Sequence, residues 1–334
     1  MMRKTNLAVA VLAIAAVLAA ACAPAGAPAP AGPTPGAIKA PSKVTIAYQP
    51  GLGYAQLIIM KRQQVLEKKF PNTAFEWKIL AAGAPIRDGM IAGQIQVGAG
   101  GTGPFLVGWD RGVGWRILSS LNQMDLWLMA MDPNIRSLKD IKPGMQIGLP
   151  APDSIQAVVL RRAAQQQLGN PTALDQNLVA IAHPAGVQAL LGGQLAAHLT
   201  SPPFQFQEKD AGARVILRSF DVFGPHTFNS VWVMESFYNE YPDFNKAFYE
   251  AIAEATRLIK EKPDEAARIV AEEEQGQVSP QTYRDWMTRE GMVYDTVPRG
   301  FLKFAAFMKE IGMIAKVPSS IKELTVPLLG DAGD

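Results

Sequence analysis

The chain has 334 residues, 48% of them hydrophobic, with 32 Lys and Arg against 30 Asp and Glu and a single cysteine. Without Arg3 and Lys4, which precede the first apolar run, bases and acids balance at 30 each, and a balanced surface offers no field for nucleic acid or anionic lipid. One cysteine makes no internal disulfide. The three histidines, His183, His198 and His226, show no i, i+4 pair and no neighbouring cysteine, so no metal site is expected.

Fifteen apolar residues from Leu7 to Ala21 follow the two bases. The run is shorter than the ~20 residues of a membrane span, and its flanks are those of a secretory signal, so residues 1–21 read as a signal peptide and the mature protein as exported. Cys22 stands where a signal peptidase would cut. The stretch Leu18-Ala19-Ala20-Ala21-Cys22 resembles a bacterial lipobox with Leu one place early, which implies lipidation of Cys22; the alternative is ordinary cleavage leaving a free thiol. Ala23 to Pro41 holds only Ala, Pro, Gly and Thr without apolar periodicity apart from Ile38 and Lys39, and residues 22–42 read as a tether.

Lys43 to Tyr48 (KVTIAY) alternates as a strand, and Gln49 to Gly53 is a loop before a helical pattern from Tyr54 to Lys69. A strand at Ala74 to Leu80, a short helix ending at Gly93, the strand IQVGA and a helix opening at Pro104 follow. This β-α alternation predicts a parallel sheet covered by helices. Two strand-like runs, Trp115 to Ser120 and Leu126 to Met131, lack a helix between them. The alternation then restarts with strands at Met145 to Leu149, Asn177 to Ala182 and Gln194 to Leu199, and helices at Ser154 to Leu168, near Pro184 to Leu191 and after Pro202. Arg214 to Leu217 and Val231 to Met234 read as returning strands, and everything after Tyr238 as helical, with Pro near the helix starts. A chain leaving one lobe near Asn122 and returning near Gly224 crosses twice, which makes a hinge.

Within IQVGAGGTGPF, residues 95 to 105, Gly98, Gly100 and Gly103 spell G-x-G-x-x-G. A dinucleotide site would place that motif after the first strand, before a long helix and about 20 residues ahead of an acid. Here it follows the third strand, and Asp125 is the only acid at a suitable distance. A hundred residues on, LLGGQLAAHLTSPPF repeats the order Gly-Gln, strand, small hydroxylated residues, Pro-Phe. Two matching walls explain the glycines better than a cofactor, and none is expected. In open parallel sheets ligands gather beyond the carboxyl ends of strands, at helix N-termini.

The segments VTIAYQPG, EKKFPNTAFEW, IAGQIQVGAGGTGP, SLKDIKPGMQIGLPAPDS and AAHLTSPPF carry a resemblance spanning residues 43 to 320. The chain resembles the substrate-binding component of the nitrate, sulfonate and taurine class of ABC importers, in the superfamily that includes the thiamine-pyrimidine (NMT1/THI5-like) proteins. It departs at Gln96, where many relatives carry Asp. The resemblance implies an α/β fold, the two-lobed periplasmic-binding-protein type II clamshell with a two-segment hinge and C-terminal helices. Residues 43–122 plus 225–334 form one lobe and 123–224 the other. It also implies a monomeric, non-enzymatic carrier, lipid-anchored in the periplasm or on the outer face of the cytoplasmic membrane. Such a carrier hands a small organic or oxyanion solute to an ABC permease. A secreted enzyme using the same cleft and a non-binding scaffold lipoprotein are the alternatives; the eukaryotic pyrimidine synthase on this fold needs cysteines that this chain lacks.

Cleft residues follow from the loops at strand ends. Gln49 and Tyr54 come after the first strand, and Thr102 caps a helix or binds solute. Asp153 reads as an N-cap, with Ser154 and Gln156 facing the cleft. Thr200 and Ser201 match Thr102 through the repeat, and Asn122 and Asn229 lie near the crossings. Arg87 reads as a surface residue, and the histidines as satisfied or surface groups. Tyr48, Tyr54, Phe105, Phe204 and Trp232 could stack on a ring-bearing solute, whereas the aromatics of Phe301 to Met313 fall at core spacing.

Overall fold

The computed structural model describes residues 39–273 and 276–334. The signal peptide, Cys22 and nearly all of the tether lie outside them. Twelve strands are formed among the described residues: β1 Lys43–Tyr48, β2 Ala74–Ile79, β3 Val97–Gly101, β4 Trp115–Ser120, β5 Asn122–Met124, β6 Trp127–Ala130, β7 Ile147–Leu149, β8 Leu178–Ala180, β9 Ala197–Leu199, β10 Arg214–Arg218, β11 Asn229–Met234 and β12 Met292–Tyr294.

Two five-stranded sheets share one plan. The first runs β2-β1-β3-β11-β4 and the second β8-β7-β9-β6-β10. In the first, β1 pairs parallel with β2 and β3, and β11 inserts antiparallel between β3 and β4. In the second, β7 pairs parallel with β8 and β9, and β6 lies antiparallel between β9 and β10. The antiparallel strand of each sheet is thus the first strand formed after the chain crosses over from the other. This is the two-lobed α/β architecture expected above.

The repeat is visible at the level of single hydrogen bonds. Gly93 and Gly193 both adopt φ +71, the left-handed turn that ends a helix and that glycine reaches without a Cβ penalty. After the first, Gln94 and Ile95 donate to Gly89 O at 2.9 and 3.1 Å; after the second, Gln194 and Leu195 donate to Ala189 O at 2.8 and 3.1 Å. Gln96 has its own task. Its Nε2 donates to Gly93 O and its Oε1 accepts from Thr45 N, both at 2.9 Å, fastening the helix end to β1.

Under the first sheet Trp115, Trp232, Phe105 and Phe301 are fully buried together. Trp115 and Trp232 have ring centroids 5.0 Å apart, and Phe105 stacks on Trp115 at 5.3 Å. Their burial contributes about 1.5–3 kcal/mol per side chain. Phe105 and Trp232 are therefore core residues, and the expectation that they stack on a solute is corrected. The three glycines are likewise explained by packing. A Cβ on Gly98 would sit 2.5 Å from Met90 Sδ, on Gly100 2.5 Å from Trp232 Cη2, and on Gly103 2.5 Å from Asp153 O.

Between the sheets the two crossings are pinned by Asp125, which is buried. Its carboxylate accepts from Trp127 Nε1 at 2.8 Å, Arg218 Nε at 2.5 Å and Phe220 N at 3.0 Å, so one acid joins both strap segments. A third segment joins them. β12 pairs with β5, with Met292 opposite Met124 and Tyr294 opposite Asn122. The chain after Tyr238 is consequently not all helical, because these residues complete the backbone pairing of the strap. Two further boundaries differ from expectation. The Tyr54 to Lys69 helix is broken into Ala55–Arg62 and Val65–Lys69 at Gln64, whose φ of +53 is left-handed and cannot continue a right-handed ladder. The helix after β3 begins at Thr102, before Pro104.

Candidate functional site

A cavity lies where the carboxyl ends of the strands of both sheets meet. Gln49, Pro50 and Tyr54 after β1, Gly83 after β2, Gly101 and Pro104 around the end of β3, and Phe228 and Asn229 at β11 form one wall. Pro150, Ala151, Ser154, Ile155 and Gln156 after β7, His183 after β8 and Ser201 after β9 form the other. The residues at equivalent strand ends oppose each other, as the repeat required. The cavity measures about 20 Å³, room for about one water, so a larger guest enters only if the walls part.

On the first wall, Tyr54 is buried and its hydroxyl accepts from Gln49 Nε2 at 2.7 Å and from Asn229 Nδ2 at 2.8 Å. Burial pushes its pKa upward, so the phenol keeps its proton. Both neighbours donate to it, which leaves that proton for an acceptor in the cavity. On the second wall, the helix Ile155–Leu168 is capped by Ser154, whose hydroxyl accepts from Ala157 N at 3.2 Å. The N–H groups of Ile155 and Gln156 begin the helix and have no intrahelical acceptor, so the positive end of the helix dipole borders the cavity. Asp153 is not the cap; it takes part in a clasp. Arg87 Nη1 donates to Asp153 Oδ2 at 2.8 Å, tying the helix Gly83–Ile91 of the first wall to the loop before the second, with the Arg87 side chain only 11% exposed. Arg87 is therefore neither a free surface group nor a cavity residue.

Of the expected cleft residues, Gln49, Tyr54, Ser154, Gln156, Ser201 and Asn229 line the cavity. Three stand behind it. Thr102 Oγ1 donates to Thr227 O at 3.1 Å, and Gly101 rather than Thr102 occupies the N-cap position. Asn122 donates to Gly53 O at 2.7 Å and accepts from Asn229 N at 3.3 Å. Thr200 Oγ1 lies 3.3 Å from His183 Nδ1. Each is a buried polar group satisfied by backbone or by a side chain that does reach the cavity. Among the aromatics, Tyr54 reaches the cavity, while Phe204 lies against the His183 ring at 5.6 Å and lines an adjacent hollow of about 240 Å³ that shares Pro50 with the first.

His183 was missed as a cavity residue. The repeat contains the signal: the offset of one hundred that matches Gly93-Gln94 to Gly193-Gln194 also matches Gly83 to His183, and both line the cavity. Burial and the neighbouring His198 hold its pKa well below the usual range, so the ring is neutral. Among the described residues, no group of three or more His, Cys, Asp or Glu is placed to hold a metal ion, and no helix is long and apolar enough to cross a membrane.

Residues 38–273 match the model of the NMT1-like family. The chain belongs to the NMT1-like family. Among solved structures, it is similar to the periplasmic aliphatic sulphonate binding protein SsuA from Escherichia coli, at 19% identity and a TM-score of 0.65 over 86% of this chain and 92% of that one. The alkanesulfonate-binding protein SsuA from Xanthomonas axonopodis pv. citri, bound to MOPS, is similar at 18% identity and a TM-score of 0.67, over 86% of this chain and 97% of that one. The periplasmic nitrate-binding protein NrtA from Synechocystis gives 13% identity and a TM-score of 0.69, over 87% and 86%. These likenesses concern the fold, the two-lobed plan already described. Compared with curated protein sequences, the chain has no match.

Proposed function

We propose that this NMT1-like protein is the extracytoplasmic solute-binding component of an ABC importer: a monomeric lipoprotein anchored through Cys22 that captures a small organic or oxyanion solute between two lobes and delivers it to a membrane permease. We assign 43–122 with 225–334 to one lobe and 123–224 to the other. The observation that carries the reading is the cavity between equivalent strand ends of two like sheets. The family and the fold shared with sulphonate- and nitrate-binding proteins support it. The lining mixes apolar residues such as Pro104, Ile155 and Phe228 with polar, uncharged side chains, and a phenol proton and a helix N-terminus face inward, which suits an acceptor-bearing solute.

A thermal-shift screen of sulfonates, carboxylates, pyrimidines and aromatic acids tests this. A true solute at 100 times its dissociation constant stabilises the protein by about 2.7 kcal/mol, and mass spectrometry should recover it unchanged. Turnover would mark an enzyme in the same cleft, and a screen in which nothing stabilises would mark a scaffold. For a solute that binds, Tyr54→Phe should weaken affinity roughly tenfold, the worth of one buried hydrogen bond; titration calorimetry giving the native affinity would remove Tyr54 from the site. The anchor is checked separately. Intact mass of protein extracted from membranes should show a lipid-modified Cys22 as the first residue, and an unmodified terminus would overturn that part.

A further inference from the structure

Behind the second wall, four polar groups stand in line from the cavity inward: Gln156 Nε2 to His183 Nε2 at 3.1 Å, His183 Nδ1 to His198 Nε2 at 3.1 Å, and His198 Nδ1 to Glu208 Oε1 at 2.5 Å. His198 and Glu208 are fully buried. The ring of His198 is built into the fold, because a Cβ on Gly186 would lie 2.5 Å from both its Cε1 and its Nε2. The other carboxyl oxygen of Glu208, Oε2, is buried without a hydrogen-bond partner.

A neutral imidazole has one donor and one acceptor, and an amide exchanges the two by a half-turn. The line therefore has two arrangements. With Glu208 ionised, His198 Nδ1–H donates to the carboxylate, His183 Nδ1–H donates to His198 Nε2, and His183 Nε2 is a lone pair that accepts from Gln156. With Glu208 protonated every bond reverses: the carboxylic acid donates to His198 Nδ1, His198 Nε2–H donates to His183 Nδ1, and His183 presents Nε2–H at the cavity. The forms differ by one proton. On ionisation it leaves from His183 Nε2 into the cavity, and the two protons behind it each move one place outward.

We propose that His183 is the specificity-determining residue of the second wall, and that Glu208, acting through His198 as a positioning pair, sets whether its Nε2 donates to a solute acceptor or accepts from a solute donor. The proposal rests on the carrier reading above. It makes capture of an acceptor-bearing solute, a carboxylate or sulfonate, depend on the proton held by Glu208.

The surroundings favour the protonated arrangement at neutral pH. An unpartnered buried carboxylate oxygen disfavours the charge, and burial pushes Glu208 up to about 9 while pushing His198 down to about 3. The strands β6, β7 and β8 and the helix His183–Leu191 bring no ionisable side chain except His183 itself. From the helix Phe204–Asp210, Lys209 and Asp210 are exposed, with Lys209 lying over the Trp127 ring. From the helix Ile155–Leu168, Arg161 is paired with Asp175 and Arg162 lies over Phe223 and Phe307, while Arg87 and Asp153 neutralise each other. Glu208 is thus the charge-setting group of the line.

Long-range nitrogen–proton spectra of the uniformly labelled full chain, recorded from about pH 6 to about pH 11, read the tautomers directly. Expected is one shared transition near pH 9, with His183 and His198 both Nε2-protonated below it and both Nδ1-protonated above, and neither passing through imidazolium. In Glu208→Gln, which keeps the shape but holds no titrating proton, the tautomers should not change with pH. Independent titration of the two rings near pH 6.5, constant tautomers in the native protein, or a transition surviving in the variant would each overturn the proposal, the first two without recourse to a mutant. In the solute screen, binding of the carboxylate and sulfonate members should weaken about tenfold per pH unit above the transition and stay level in Glu208→Gln. A screen in which nothing binds sinks the carrier reading and the specificity role with it, while the tautomer switch is judged by the spectra alone.

Discussion

Gly103→Ala should lower solute affinity roughly 5- to 150-fold while leaving the unliganded protein as stable as before. The added Cβ would lie 2.5 Å from Asp153 O and 3.0 Å from Ile155 N, both backbone atoms of the opposite wall. Neither can swing aside as a side chain would, so the closed arrangement is overpacked by about 1–3 kcal/mol, which is that range of affinity. Parting of the walls would relieve the clash. Within the helix Thr102–Asp110 the change replaces the poorer helix former by the best one, worth up to about 1 kcal/mol in the folded lobe. Loss of binding without loss of stability is the signature. Arg87→Ala is the companion, since it removes the clasp to Asp153 without inserting an obstacle, and should weaken affinity only a few-fold because the pair is partly solvated. Small-angle scattering should show both variants more expanded than the native protein in the presence of solute. Native affinity together with an unchanged radius in Gly103→Ala would mean that the walls do not part and close.

The largest loss of stability is expected from Trp232→Ala, about 3–5 kcal/mol and a fall of roughly 10 °C in melting temperature. Trp232 is fully buried in β11, donates from Nε1 to Ser230 Oγ at 2.7 Å and packs between Trp115, Phe105 and the bare Cα of Gly100. Truncation of so closely packed a ring incurs both the transfer and the cavity terms. Gly100→Ala attacks the same contact from the other side, since its Cβ would meet Trp232 Cη2 at 2.5 Å, and should cost about 1–3 kcal/mol. A smaller ring relieves the clash. The double variant Gly100→Ala with Trp232→Phe should therefore lose less than the sum of its parts. Strict additivity in denaturant unfolding, or a loss below about 1 kcal/mol for Trp232→Ala, would show that the β3–β11 contact is not where the first lobe's core is concentrated.

The contact between Gly100 and Trp232 also shows why the glycine motif misleads when read locally. G-x-G-x-x-G is a pattern of places where a Cβ cannot fit, and phosphate is only one reason for that. Here the reasons are Met90, Trp232 and Asp153, from a neighbouring helix, a strand 130 residues away and the other lobe. Asp125 is a similar case. By spacing it is the one acid at a distance suited to a dinucleotide site, whereas in the fold its carboxylate gathers donors from Trp127, Arg218 and Phe220 and holds the strap together.

Apart from the β5–β12 pairing, the order of strands and helices, the division into two like halves and the location of the cleft at strand ends were determined by the sequence itself. Each follows from short-range physics: alternation and amphipathic spacing select the element, glycine and proline end it, and the Gly-Gln repeat fixes the same helix exit twice. Which side chains face the cleft was decided by tertiary structure. Thr102, Thr200 and Asn122 sit on the expected loops, yet their hydrogen bonds run to backbone and side-chain groups behind the cavity, as satisfied structural residues. The repeat marks the position of His183, but nothing local links it to His198 and Glu208, since their alignment joins two helices and a strand, and a hydrogen-bonded line of that kind exists only once those elements have packed.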